Sequence, residues 1–398
     1  MAVMRWSALI AGAALSGIAG GAQAQGLAAG KTIFEIRPRL EIVDQANLPR
    51  EAVAATVRMR FGYETAAWND LKGLVEFEGV QDLGDEQYNS TVNGKVIYPV
   101  IGDPPGAEIN RLQVSWTPSK AFGAVLGRQR INLDDQRFVG GAAWRQDEQT
   151  FDAARADLAY GKFKGSVIYV DNVNRVFAEK ADWKSDSWLV NAGWDGPAVF
   201  KPTAFVYALD FDNSAFNSTL TAGVRVTGKT KAGPVALAYA ASYANQEDYG
   251  NNPASFNLDY WAAELAGTSG AVTVKGAYES LEGNGRRGFQ TPLATLHAFQ
   301  GWADVFLITP PNGIEDANLS LTFKPKWRGP NLFNIELTAR YHNFEAERGG
   351  ADLGDEIDLL AQAAITKQLT MLAKWADYDG VAGFPSRRKF WFGFEFKL

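Results

Sequence analysis

Apolar and polar residues alternate with a period of two along most of this chain. The pattern is cleanest in the last nine residues, where Phe390, Phe392, Phe394, Phe396 and Leu398 face one way and Trp391, Gly393, Glu395 and Lys397 the other. Near the start, residues 31–43 set Phe34, Ile36, Leu40 and Ile42 against Glu35, Arg37, Arg39 and Glu41. Pro38 lies in this run, a residue tolerated in a strand only where its missing N–H falls at a bulge or an irregular ladder position. Residues 53–64 set Val57, Met59 and Phe61 against Thr56, Arg58 and Arg60, and residues 71–81 place Glu76 and Glu78 together on the polar face.

The same rule continues through 107–117, 122–133, 149–160, 165–172, 185–194, 203–211, 217–227, 234–245, 255–266, 271–281, 314–327, 332–344, 356–366, 369–378 and 388–398. That makes eighteen strands, or sixteen if the weak segments near Lys201 and Leu220 are not strands. Connections after even-numbered strands are short, as at Asn69-Asp70 and Lys367-Gln368, whereas those after odd-numbered strands are mostly longer and more polar. In a soluble sandwich the aromatic faces would share a core, but nearly every strand has one apolar face and too little apolar loop exists to cover them. A sheet closed on itself in lipid accounts for the pattern, each strand showing an apolar face to the bilayer and a polar face to a wet lumen. The expected fold is therefore all-β: a transmembrane antiparallel β-barrel of about 18 strands, with short periplasmic turns and long extracellular loops.

Composition sharpens this picture. Residues 1–24 carry Arg5, an Ala/Gly/Leu/Ile run and Ala22-Gln23-Ala24, the marks of an exported, cleaved signal peptide. Residues 25–398 are then expected to form a single outer-membrane barrel domain, and loss of Arg5 takes the formal charge from −6 to −7. Only about six residues separate the leader from the first strand, too few for a folded N-terminal plug. There is no cysteine, so disulfides and thiolate metal sites are excluded, and two histidines among 398 residues argue against a multi-histidine metal site or proton relay. No cofactor and no metal are expected. Twenty-four Phe, 13 Tyr and 12 Trp accompany a slightly negative mean hydropathy, as alternate-residue lipid exposure requires.

The polar faces hold the chemistry. Candidate pore-lining residues are Arg37, Arg39, Arg58, Arg60, Glu76, Glu78, Arg111, Arg128, Arg130, Arg155, Asp157, Arg340 and Lys374, with Glu35, Glu41, Glu336 and Asp358 on the acidic side. Arginine stays charged when partly buried and offers a fixed fork to carboxylates, on the wall or on a passing solute. Such rows either pair across the ladder and hold it, or set a field that selects and steers solutes, or do both. Two long connections, 134–148 and 282–313, are candidates for narrowing the pore, through Asp134, Asp135, Arg137, Arg145, Arg286 and Arg287. Folded outward, the same loops would be receptor or headgroup surfaces.

Two stretches carry a family resemblance. Gly127-Arg128-Gln129-Arg130-Ile131-Asn132-Leu133-Asp134-Asp135-Gln136-Arg137-Phe138-Val139-Gly140, followed by Trp144-Arg145-Gln146-Asp147-Glu148-Gln149-Thr150-Phe151-Asp152, resembles the signature of the alginate-export family of proteobacterial outer-membrane porins. So does Leu296-His297-Ala298-Phe299-Gln300-Gly301-Trp302-Ala303-Asp304. The resemblance implies an eighteen-stranded monomeric barrel in the outer membrane, in contact with lipid and lipopolysaccharide. Its arginine-rich lumen would pass small or anionic solutes, including an anionic polysaccharide such as alginate.

Other classes fare worse. An outer-membrane barrel enzyme needs a positioned nucleophile and base, and neither His297 nor His342 lies in a Ser-His pattern. No phosphate-binding loop or nucleic-acid module is present. An adhesin or structural barrel with partner-binding loops is the alternative expectation. Acidic runs at Asp134-Asp135 and Glu247-Asp248 read as water-facing rim carboxylates before cation sites.

Overall fold

A computed structural model describes residues 30–327, 332–381 and 383–398. The expected signal peptide and its cleavage site lie outside the described residues. Eighteen antiparallel strands follow in order: β1 (Lys31–Gln45), β2 (Ala52–Glu64), β3 (Leu71–Asp82), β4 (Gly106–Ser119), β5 (Phe122–Gln129), β6 (Thr150–Tyr160), β7 (Phe163–Asn174), β8 (Trp183–Trp194) and β9 (Lys201–Leu209). The second half comprises β10 (Thr219–Ala232), β11 (Val235–Asp248), β12 (Asn257–Ser269), β13 (Val272–Leu281), β14 (Ile314–Phe323), β15 (Phe333–Glu345), β16 (Asp352–Ala364), β17 (Leu369–Asp379) and β18 (Arg387–Lys397).

Each strand pairs with its sequence neighbours, and β1 pairs with both β2 and β18, so the sheet closes with no edge. Both weak segments are strands, which fixes the count at eighteen. The β1–β18 ladder has no pair at Arg37 or Pro38, so proline sits where no N–H is asked for on that side.

Burial is the reverse of that in a soluble protein. Phe61 is 56% and Leu126 66% exposed, whereas Arg58 and Glu76 on the opposite faces are each 1% exposed. In water such a surface would be unstable; in hydrocarbon it is the required one. Trp68, Trp116, Tyr160, Phe163, Phe200 and Trp327 are exposed near the short turns, where an aromatic girdle meets the membrane interface.

The structure amends the sequence reading in three places. The strand expected over 122–133 ends at Gln129, after Gly127 takes φ 112°, where an added Cβ would meet the Leu112 carbonyl oxygen at 2.3 Å. Arg130 therefore belongs to the following loop. β4 is bulged opposite Glu76 and Phe77 of β3, which pair with Arg111 and Ile109 and leave Asn110 as the extra residue. Finally, the inner face is not polar throughout: Phe205, Tyr207 and Leu209 on β9, Tyr260 on β12, Phe344 on β15, Tyr378 on β17 and Trp391 on β18 all point inward and are buried. They form a core inside the barrel with Ile131, Leu133, Val139, Leu293, Trp302 and Phe306 from two long loops.

An arginine placed at Leu126 or Phe392 should destabilise the folded barrel by about 2–4 kcal/mol where the position lies near the bilayer midplane. Denaturant unfolding in lipid vesicles measures this, and a cost near zero at both positions would mean that these faces do not meet hydrocarbon.

Candidate functional site

Three long connections on one side of the barrel, 83–105, 130–149 and 282–313, fold into the lumen. The central one, 130–149, is tied to walls right across the ring. At its beginning Asp134 accepts from Asn191 Nδ2 on β8 at 2.7 Å, Asp135 meets Arg225 on β10 at 2.8 Å, and buried Arg137 meets Glu279 on β13 at 2.5 Å. At its end Gln146 donates to Thr56 on β2 at 2.8 Å, and Glu148 pairs with Arg60 on β2 at 2.8 Å. Between these ends Gly140 N donates to the Leu293 carbonyl at 2.8 Å, joining the loop to 282–313.

The wall beneath the loop is a dense ion-pair array on β1–β4 and β18. Arg58 bonds Glu35 and reaches Glu395 at 3.2 Å; Arg60 bonds Glu78; Arg111 grips Glu76 with Nε and Nη2 at 2.9 and 2.6 Å. Arg130 bridges Glu148 at 2.5 Å and Glu76 at 3.1 Å. Arg37 donates to Gln146 Oε1 and the Ala143 carbonyl, both at 2.9 Å, and Arg39 bonds Asp103 of loop 83–105. Forks paired on both sides in this way hold the loop in one position, and removing one partner of a buried pair costs about 3–5 kcal/mol.

A second anchor holds loop 282–313 against β16–β18. Asp304 meets Lys389 at 2.7 Å, Arg145 at 2.8 Å and His297 Nδ1 at 2.8 Å. His297 Nε2 lies 2.7 Å from Lys374 Nζ and its ring stacks on Trp144 at 4.6 Å. Burial holds His297 well below its ordinary value against the pull of Asp304, and the adjacent Lys374 works the same way. A neutral ring that donates from Nδ1 to Asp304 and accepts at Nε2 from Lys374 satisfies all three groups. Trp144 and Trp302 flank the Lys374 ammonium at 4.1 and 3.6 Å. Arg340 stacks over Trp302 at 5.4 Å. Backbone N–H groups of Trp302 and Ala303 donate to Asp358 and Glu356 on β16. His342 is a wall brace, its Nδ1 2.8 Å from Asp316.

The remaining candidates separate by place. Arg128 pairs with Asp152 at 2.8 Å and Arg155 with Asp157 at 2.8 Å, both on the β5–β6 wall. Glu336 lies 2.9 Å from Lys324. Arg286 and Arg287 stand apart from the constriction: Arg286 is exposed, and Arg287 donates to the Phe216 carbonyl of the β9–β10 connection and stacks over Phe256. Asp103, Lys389 and Glu279 were not singled out from sequence, and Asp147 and Glu148 entered there only as part of the quoted stretch. Their signal is weak there because each lies far along the chain from the groups it meets.

Two cavities lie on opposite sides of the inward loop. One of about 710 Å³, on the long-loop side, is lined by Glu78, Glu108, Asp147, Glu179 and Asp182 against Arg128, Lys180 and Lys184. The other, of about 700 Å³ on the short-turn side, is lined by Lys120, Arg155, Lys164 and Lys201 against Asp157 and Asp195. The outer vestibule is thus net acidic and the inner one net basic.

Burial alone would raise the Glu148 carboxyl, but Arg60 and Arg130 outweigh it and hold it at about 2. A depressed carboxyl of this kind stabilises the docked loop above its ordinary value near 4.5 and loses that contribution as pH falls towards about 2. Acidification from pH 5 to 2 should therefore loosen loop 130–149 and raise single-channel conductance. Glu148→Gln should raise conductance already at pH 7 and flatten the acid response; a wild-type conductance unchanged across this window would contradict the anchor.

Comparison with known proteins agrees with this architecture. Residues 111–279 match the family model described as alginate export. Similar crystal structures include Acinetobacter baumannii OccAB4 (TM-score 0.73, 12% identity, 93% of this chain and 98% of that one). Others are Pseudomonas aeruginosa OpdL (0.71, 13%, 94% and 99%) and Pseudomonas aeruginosa OpdK with vanillate (0.71, 12%, 94% and 99%). At these identities the likeness shows the fold alone. No curated protein matches the sequence. The first of the two quoted stretches lies within the matched residues and the second, 296–304, beyond them. The resemblance read from the sequence is thus borne out over residues 111–279, where the chain carries the alginate-export family's pattern on a closed barrel of outer-membrane porin type.

Proposed function

We propose that this barrel is a selective outer-membrane channel for small anionic solutes, admitted through a passage along the β3–β10 wall. The observation that carries the reading is the pair of charged vestibules on either side of loop 130–149, with Arg128–Asp152 and Arg155–Asp157 on the wall that lines them. The inward loops pack against buried apolar residues on both sides of the ring, Phe205 and Tyr207 of β9 as well as Phe344, Tyr378 and Trp391 of β15, β17 and β18.

The basic inner vestibule favours anions, and a solute carboxylate can exchange for Asp152 or Asp157 on the arginine forks, a bidentate geometry that lysine cannot offer. A small carboxylate accords with the vanillate in the OpdK crystal structure. A small carboxylate crosses the repulsion of Glu78, Glu108 and Asp147 in the outer vestibule once, whereas an anionic polysaccharide meets it again with every uronate. One observation favours the partner-binding alternative: Val92, Val96, Ile97 and Val100 are exposed on loop 83–105. Contact with outer-membrane lipid follows from the exposed apolar belt.

In a planar bilayer the protein should give discrete conductance steps. Because its two mouths carry opposite net charge, the current should rectify, with larger current for one sign of applied voltage. Replacing both Arg128 and Arg155 with glutamine should lower the anion-to-cation permeability ratio several-fold. Correctly inserted protein that passes no current, while its outer loops still capture a ligand, would favour the partner-binding reading instead.

A further inference from the structure

The outer vestibule contains three neighbouring acids of which only Glu78 has arginine partners, Arg60 and, at 3.9 Å, Arg58. Glu78 on β3 and Glu108 on β4 are direct cross-strand partners, a placement that repels when both are ionised. Loop 130–149 brings Asp147 to them, so that one oxygen from each of the three lies within 4.8 Å of the others. Asp147 is only 8% exposed, no ion pair among the described residues reaches its carboxylate, and its side-chain hydrogen-bond neighbour is Glu78, another acid. Glu108 Oε1 is also buried without a partner. Glu78 keeps Arg60 and the Glu148 N–H, which leaves further lone pairs free on its two oxygens. Arg128, which also lines this vestibule, is spent on Asp152.

We propose that Glu78, Glu108 and Asp147 form a calcium site at the outer mouth of the barrel. Carboxylates held this close, with Glu78 and Asp147 buried and only Glu78 paired with arginine, repel one another unless they take up protons or share a cation. The donor set is all oxygen, since the chain has no cysteine and both histidines are committed elsewhere. That selects a hard cation. Calcium accepts oxygens at about 2.3–2.6 Å in adaptable geometry, so ligands up to roughly 5 Å apart can share one ion, whereas magnesium demands a tighter octahedron. Water from the vestibule of about 710 Å³ completes the shell.

One calcium ion cancels the net acidity of the outer vestibule, where five acids face three bases. Resting on the channel reading above, this makes the ion a selectivity element: occupied, the mouth admits anions; empty, it disfavours them. The three ligands come from positions 30 and 39 residues apart in the chain, so spacing along the sequence does not announce them.

Isothermal titration of the detergent-folded protein with calcium chloride at pH 7.5 tests the site directly. One ion per chain with a Kd below about 1 mM is expected. Asp147→Asn should weaken binding at least tenfold, and Glu247→Gln, at the exposed outer end of β11, should leave it unchanged; heat-modifiable electrophoretic migration verifies that both variants are folded. Calcium that fails to bind the folded wild type, or binds Asp147→Asn equally well, overturns the proposal. Millimolar calcium added to the outer chamber should also shift the reversal potential under a salt gradient towards anion preference. Binding that depends on Asp147 without that shift upholds the site and removes the channel reading.

Discussion

Hydrocarbon offers the peptide backbone no hydrogen-bond partner, and this single constraint governs the molecule. It demands that β1 find β18, because an open sheet would present two rows of bare N–H and C=O groups to lipid. Once the ring is closed, every strand has one face in lipid and one inside. The inverted burial follows directly, with Phe61, Leu126 and Phe392 outside and Arg58, Glu76 and Lys389 inside.

A ring of eighteen strands is too wide to be filled by its own wall side chains. Loops 83–105, 130–149 and 282–313 enter it, and a charge-complementary wall receives them. Arg60, Arg130 and Glu148 on one side, and Arg145, Asp304 and Lys389 on the other, fix where the loops rest. Pairs of this kind add less net stability than their number suggests, because each group has been taken out of water. What they enforce is position, since a loop displaced from its site leaves charges uncompensated. Apolar packing of Leu293, Trp302 and Phe306 against Phe344, Tyr378 and Trp391 supplies the non-directional part of the attachment.

The arginines that suggested an open basic conduit are therefore mostly occupied, holding acids of the wall or the loops. Solute discrimination falls instead to groups lining the space the loops leave: Arg128, Arg155 and the lysines of the inner vestibule, opposed by the acids of the outer one. The resulting charge gradient along the passage is a property of the assembled lumen. No single strand contains it.

Period-two alternation determined the outward and inward faces and the long-loop side, because pleating is a local property of the backbone; it left sixteen or eighteen strands, and the pairing of β9 with β10 decided for eighteen. It also carried a trace of the inner core, since Phe205, Tyr207 and Leu209 alternate with Ala204, Val206 and Ala208 and leave β9 apolar on both faces. What alternation cannot encode is where a loop goes. That Arg137 meets Glu279, that His297 lies between Asp304 and Lys374, and that Asp147 arrives beside Glu78 and Glu108 depend on long-range packing and charge pairing across the lumen. Those contacts join residues up to 142 positions apart, and only the folded ring brings them together.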